Sequence, residues 1–332
     1  MNALLPYLGA LDALTHEAHD GNDAYVQPAL RNLGAIAIPV LREVIAPAAF
    51  RNADPEITDI AVDGVRRVRA VANKFKFGER ARGLQVLRLF GAGGRSPQNR
   101  TAFPARGKAS DGFDLNTLVF GDSAEKGGNV LPVKAGVSYS DAISLASYED
   151  CVDATFHNRA AEDGSLFNPQ EKRNSVNLFD RHFVRPGTLL LQVLTLNGRT
   201  APPEALDHLL LAIGLAGAYG GQTSIYGVNV RNRILGVYAG RMERAVASPY
   251  VALNQAAAGA APGWQDNADQ AAEALDRVFA AAYPIRIDAT EVAARQSARI
   301  QAVEAGDPAL AEEYGQTARQ VAAFFDAWFE KH

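Results

Sequence analysis

The chain has almost none of the residues that staple a fold. Cys151 is the only cysteine in 332 residues, so an internal disulfide is excluded, as is any zinc site with more than one thiolate. That composition suits a reducing compartment, and the cytoplasm is the expected location. No apolar run reaches about 18 residues, so no membrane-crossing helix is expected. The opening MNALLPYLGALDALTHEAHD lacks the basic start of a secretory leader. No GxxxxGK(S/T) occurs, which removes the phosphate-binding P-loop. Gly91-x-Gly93 follows an apolar stretch, but Ser96 stands where the third glycine of a dinucleotide fingerprint belongs. Pro97 obstructs the helix that must begin there. His16 and His19 are spaced i, i+3, not the i, i+4 of a zinc-protease helix, and no third ligand is in view.

The most telling scarcity is of acid. The chain has 33 Lys and Arg and 37 Asp and Glu; twelve of those bases but one acid, Glu79, fall between Val65 and Lys108. That segment carries +11. The remaining 21 bases and 36 acids carry −15, so the overall −4 hides a basic block in an acidic protein. Ordinary solvated faces mix both signs. Here Arg66, Arg67, Arg69, Lys74, Lys76 and Arg88 are interleaved with aromatics, among them Phe75, Phe77, Phe90 and Phe103. Such a mixture neutralises phosphates and stacks bases.

With 48% hydrophobic residues, the chain can bury a core without staples. Its periodicity is mixed. Residues 2–19 read as a helix. AYVQPALRNLGAIAIPVLREV (24–44), with alternation and two prolines, reads as strand, and alternation from Ile57 to Phe77 puts Lys74 and Lys76 on one face, Phe75 and Phe77 on the other. LQVLRLF (84–90) reads as a strand containing Arg88. Residues 91–137 form a long glycine-rich insertion, and 160–187 form a second polar excursion. TLLLQVLTL (188–196) is an apolar strand. PPEALDHLLLAIGLAGA is a helix opened by Pro202-Pro203. Helical patterns near 265–282, 288–304 and 307–330 close the chain. The expected class is α+β in one domain over 1–332, with a helical C-terminal part at 265–332.

GAYGGQTSIYGVNVRNRILG (217–236) follows the helix and precedes a strand. Nucleotide loops run the other way, from strand to helix, so that a positive helix end meets the anion. What this loop offers is Gly220 and Gly221, Gln222, the hydroxyls of Thr223 and Ser224, and then Arg231 and Arg233. That set suits a polymer backbone. The plainer role is a helix cap and turn.

YGGQTSIYGVNVRNRILGVYAG, with FGDSAEKGGNVLPVKAGVSYSDAISLASYEDCVDATFHNRAAEDG upstream, resembles the backbone subunit of class 1 CRISPR effector complexes, and within it the type I-D branch of the RAMP superfamily. The resemblance runs over about 120–240. It implies an RRM-like palm, a ferredoxin-type βαββαβ sheet with large insertions. It implies several copies of the chain along one guide RNA, beside a large subunit and repeat-end subunits, pairing with a DNA target and away from any membrane. It implies RNA contacts at the basic residues and glycine loop named above. It also implies a thumb at 160–187, with Phe167, Phe179 and Arg181 wedging the guide–target duplex. Some members of this branch carry a cysteine cluster in the insertion corresponding to 91–120. This sequence has none, so no metal is expected, and no other cofactor. No catalytic residue is assigned.

Three alternatives remain at this point. A related backbone subunit would cleave RNA with a metal held by Asp111, Asp114 or Asp122, which otherwise serve as turn residues. A small-molecule α/β enzyme would have a pocket and no RNA. A self-assembling structural protein would set its basic block against acidic neighbours.

Overall fold

The computed structural model describes residues 1–11, 33–50, 57–93, 110, 112–126, 129–158, 167–168, 172–174, 178–198 and 200–329. Its strands are β1 (Ala35–Val44), β2 (Asp59–Val62), β3 (Val65–Ala70), β4 (Asp122–Lys126), β5 (Asn129–Val133), β6 (Val137–Tyr139), β7 (Ala142–Ser144), β8 (Val152–Asn158), β9 (Phe167–Asn168), β10 (Arg173–Asn174), β11 (Leu178–Val184), β12 (Leu189–Asn197), β13 (Val230–Ile234), β14 (Gly236–Gly240) and β15 (Ile285–Asp288). The helices are α1 (Asn73–Leu89), α2 (Leu115–Phe120), α3 (Pro203–Leu215), α4 (Pro249–Gly259), α5 (Ala268–Ala282), α6 (Ala289–Ala305) and α7 (Pro308–Phe329), with single turns at Tyr148–Cys151 and Thr223–Tyr226.

Nine strands form one antiparallel sheet in the order β15-β14-β1-β12-β7-β3-β2, with β13 also on β1 and β6 also on β12. The two central strands are apolar on both faces because helices cover both. Along β1, Ile36, Ile38 and Val40 join the core under α1, α3, α6 and α7, whereas Ala37 and Leu41 join the core under α4 and α5. Along β12, Leu194 and Leu196 face the first layer, and Leu189, Leu191 and Val193 the second. Period-two alternation between two buried faces gives the continuous apolar run that marks this strand in the sequence. β8 and β11 pair outside this sheet as a two-stranded ribbon, from Val152↔Val184 to Asn158↔Leu178, and β4 pairs with β5 as another. Among the described residues, no helix is long and apolar enough to cross a membrane.

Several expectations need correction. The alternation read from Ile57 to Phe77 covers a hairpin, β2–β3, and then the first turn of α1; LQVLRLF is the end of the same helix. Its buried residues are Phe75, Glu79, Gly83, Val86 and Leu87, a stripe at helical spacing. Glu79 and Gly83 interrupt that stripe as an apolar signal, which leaves a false period of two. Phe75 is therefore buried and Phe77 exposed; they do not share a face. At the N-terminus, Asn2–Tyr7 is a 3-10 helix with Pro6 inside it, and Leu8 is extended; residues 12–32 lie outside the described residues. The insertion 91–137 contains α2 and the β4–β5 hairpin, and the C-terminal part contains β15, which pairs with β14.

Helix α1 packs on α3 through a glycine. A Cβ at Gly83 would sit 2.4 Å from Asn116 Oδ1 and 2.7 Å from His208 Nε2. His208 is buried; its Nε2 lies 3.2 Å from Asn116 Oδ1 and its Nδ1 3.0 Å from the Tyr314 hydroxyl. Burial, with the nearby Arg299 charge, lowers its pKa from 6.5 to about 3. The unfolded chain takes up a proton here below about pH 6.5, and the folded chain does not. Stability therefore falls as the solution is acidified from pH 7, by about 2 kcal/mol at pH 5 from this group alone. Thermal unfolding at pH 7 and pH 5 measures the slope, and His208→Gln flattens it.

Candidate nucleic-acid interface

The start of α1 and the glycine loop face each other across an open cleft of about 740 Å³, lined by Lys74, Lys76, Phe77, Arg80, Gly220 and Thr223 among others. The fold thus brings together two stretches, 74–80 and 217–226, that are some 140 residues apart in the sequence. Arg80 is partly held by Asp122, Nη2 to Oδ2 at 2.6 Å. Lys76 has no such partner among the described residues: burial, and then the Arg80 charge, lower its pKa. An anion entering the cleft would stabilise the charged form of Lys76.

The glycine loop is a built turn. Gly220 has φ +79°, and a Cβ there would sit 2.7 Å from the Ala49 carbonyl oxygen. The Gly221 N–H donates to that same oxygen at 3.0 Å. Tyr219 N–H donates to Asn229 Oδ1, and Asn229 Nδ2 donates back to the Tyr219 carbonyl, both at 2.9 Å. The N–H groups of Tyr219 and Gly221 are therefore used within the protein. Gln222, at φ +61°, leads into the turn Thr223–Tyr226, where Thr223 is half-buried in the cleft and Ser224 exposed. Gly220→Ala combines left-handed strain of about 1 kcal/mol with a collision against backbone that cannot step aside. We expect it to lower the melting temperature measurably and to weaken ligand binding at the cleft, whereas Gly221→Ala, whose Cβ meets nothing closer than 3.7 Å, is tolerated.

Beneath the cleft lies a buried ion pair. Arg42 and Glu79 side chains are both 0% exposed, with Nη1 to Oε1 at 2.6 Å. Gln192 Oε1 accepts from Arg42 Nη2 at 2.7 Å and Nε at 3.1 Å, and Asn232 Oδ1 accepts from Nη1 at 2.8 Å. Glu79 accepts from the hydroxyls of Tyr219, at 3.0 Å, and Tyr139. The guanidinium lies 4.8 Å from the Phe75 ring centre and 5.6 Å from that of Tyr219. Burial alone lowers the Arg42 pKa, but Glu79 beside it more than compensates. Burial, then Glu79, hold both tyrosines protonated well above their usual range. This network ties β1, β12, β13, α1 and the glycine loop together. Sequence reading missed it, although its one signal was present: Glu79 is the lone acid of the basic block.

The other predicted residues are spread more widely. Arg66 pairs with Asp59 at 2.5 Å and lies 3.9 Å over the Tyr148 ring. Arg67 donates to the carbonyl oxygens of Ser144, Leu145 and Ala146, and burial lowers its pKa. Arg69 pairs with Asp141 at 2.6 Å. Arg88 is exposed near the other end of α1, about 21 Å along the axis from Lys74. Arg231 pairs with Glu43 at 3.2 Å and Arg233 with Asp269 of α5 at 2.6 Å. Asn232 between them points to Arg42, so Arg231 and Arg233 occupy the opposite sheet face. The structure does not bring them to the glycine loop.

Phe167 stands opposite Asn174 in the β9–β10 pair, Phe179 opposite His157 and Arg181 opposite Thr155 in the β8–β11 ribbon. Asp114 caps α2, accepting from the Thr117 N–H at 3.1 Å, and Asp122 holds Arg80. Asp111, His16 and His19 lie outside the described residues, as does Phe103. Among the described residues no group of three or more His, Cys, Asp or Glu could hold a metal ion. A larger cavity of about 980 Å³ opens where β1 begins and β12 ends, between Leu118, Leu196 and Phe325; its charged lining is Lys76, Lys134, Arg241 and Glu243. Cys151 is buried, and burial raises its pKa, the opposite of an activated thiol.

The class of this antiparallel α+β fold comes from the comparisons with known proteins, which make it a CRISPR effector-complex subunit. The family profile described as Csc2 Crispr matches residues 60–289, so the chain belongs to the Csc2 CRISPR family. The crystal structure of Thermofilum pendens Csc2 superposes with a TM-score of 0.63 at 17% identity, covering 100% of this chain and 96% of that one. A subunit of a CRISPR RNA-guided surveillance complex in a pre-nicking state gives a TM-score of 0.50 at 13% identity, over 74% of this chain and 86% of that one. No curated protein matches the sequence.

Proposed function

We propose that this chain is a backbone subunit that holds single-stranded guide RNA in the cleft between α1 and the glycine loop. The observation that carries this reading is the convergence of Lys74, Lys76 and Arg80 on Gly220 and Thr223, basic groups and a close-approach turn on one surface. Further copies of the chain bind the same RNA side by side, so avidity accumulates along it. The guide's bases read the target, and the protein reads backbone and shape. The target is DNA, and the large and repeat-end subunits complete the complex.

The palm is read as ferredoxin-type. Four sheet positions, β13/β14, β1, β12 and β6/β7, lie in that order, with α1 connecting the first to the second in sequence and α3 the third to the fourth. That order supports reading the connection as βαββαβ. The β2–β3 hairpin, the segment 91–133 and the β8–β11 ribbon are then insertions at its junctions. The ribbon is the thumb; its arms reach back from 160–187 to Val152. Phe167, Phe179 and Arg181 are its duplex wedge. The subunit is read as non-catalytic, and the structural duties of Asp114 and Asp122 support that.

The test is to express the chain with its genomic neighbours and a repeat–spacer RNA, then sequence the RNA that co-purifies. One defined spacer-containing species is expected. No RNA, or RNA of random sequence, contradicts the reading.

A further inference from the structure

One exposed aromatic stands in the cleft without a structural duty. Phe77 is 78% exposed. Among the described residues the other exposed large apolar side chains are aliphatic or Met, and Phe77 is the most exposed of them all. The other aromatics of the basic block are spoken for where they are described: Phe75 is buried against Phe50 and Tyr219, and Phe90 stacks on Tyr314 at 5.4 Å. Phe77 lies three residues from Lys74 and three from Arg80, so the three are neighbours along one face of α1. All three line the cleft with Gly220 and Thr223. A phenyl ring left in water contributes no burial energy to the fold. Flanking that ring with cations disfavours an apolar protein partner and favours a ligand with both a flat face and negative charge.

We infer that Phe77 is a stacking platform for a nucleobase of the bound strand, while Lys74 and Lys76 take the phosphates on either side. The proposal rests on the cleft being the RNA site. Stacking on an aromatic is tolerant of base identity, which suits a site that must accept any guide.

Two probes separate the roles: a 12-nucleotide oligoadenosine and an abasic ribose-phosphate strand of the same length. Phe77→Ala should weaken oligoadenosine binding about 5- to 150-fold, leave abasic binding unchanged, and leave the salt dependence unchanged. Phe77→Trp should retain affinity, and its added fluorescence over wild type should be quenched by oligoadenosine alone. Equal loss for both strands, or no loss for either, overturns the stacking role. So does a smaller assembly with unchanged RNA affinity, which would make Phe77 a contact between copies. If Lys74→Glu with Lys76→Glu leaves oligoadenosine binding intact, the cleft itself is wrong and the inference falls with it. If that variant abolishes binding and Phe77→Ala is neutral, the cleft stands and only the stacking is lost.

Discussion

Glu79→Ala lowers the melting temperature by roughly 4–8 °C. The Arg42 side chain is fully buried, and among the described residues its one carboxylate partner is Glu79. Removing that partner leaves an uncompensated charge in the interior, which costs about 3–5 kcal/mol. In a chain of 332 residues, with an unfolding entropy of about 2.1 cal/mol/K per residue, each kcal/mol shifts the midpoint by about 1.5 °C. Gln192 and Asn232 remain as acceptors, but neither carries charge. Tyr139 and Tyr219 also lose the acceptor of their hydroxyls. The pair is therefore expensive to break and not essential to keep. Arg42→Met combined with Glu79→Leu removes both charges together and recovers most of the loss. Circular dichroism melts of the three proteins settle the point. A single variant as stable as wild type would mean that Arg42 is not held as an isolated buried cation.

Lys74→Gln with Lys76→Gln has the opposite signature, lost binding with no lost stability. Each phosphate contact on a single strand contributes about 0.7 to the slope of log affinity against log salt. Losing two lowers the slope by about 1.4 and weakens binding by an order of magnitude or more at low salt. The melting temperature holds, because removing the Lys76 charge also removes its repulsion from Arg80. Reversal of both charges to Glu abolishes binding. Arg231→Glu with Arg233→Glu serves as the contrast. Those side chains lie on the other sheet face beside Glu43 and Asp269, and affinity for a single-stranded oligoribonucleotide changes by less than about threefold, the size expected of a remote charge under screening. Filter binding across a salt series measures all three variants.

These two predictions draw on features of different legibility. The central strands are plain in the sequence as apolar runs buried on both faces, and the helix after Pro202 and the C-terminal helices as apolar residues repeated at helical spacing. The family is legible too, through the glycine loop and the segment before it. Helix α1 is not, because its buried stripe includes Glu79 and Gly83, a charge and a residue with no side chain. Both make sense only with partners from elsewhere: Arg42 from β1, and Asn116 and His208 from α2 and α3. The basic block misleads for the same reason. Local counting finds one acid, but the fold brings Asp59, Asp122 and Asp141 to Arg66, Arg80 and Arg69. The part of the block that faces the glycine loop is the start of α1. Strand parity decided the fate of Arg231 and Arg233, since a register is set by pairing with β1 and not by the residues themselves.

The central claim is that RNA lies between α1 and the glycine loop, and ultraviolet crosslinking of the RNA-bound complex with peptide mapping tests it most directly. The account predicts crosslinked peptides spanning 73–80 and 217–226, with Phe77 the leading site. Crosslinks confined to the face that carries Arg231 and Arg233, with both of those peptides unmodified, would contradict it.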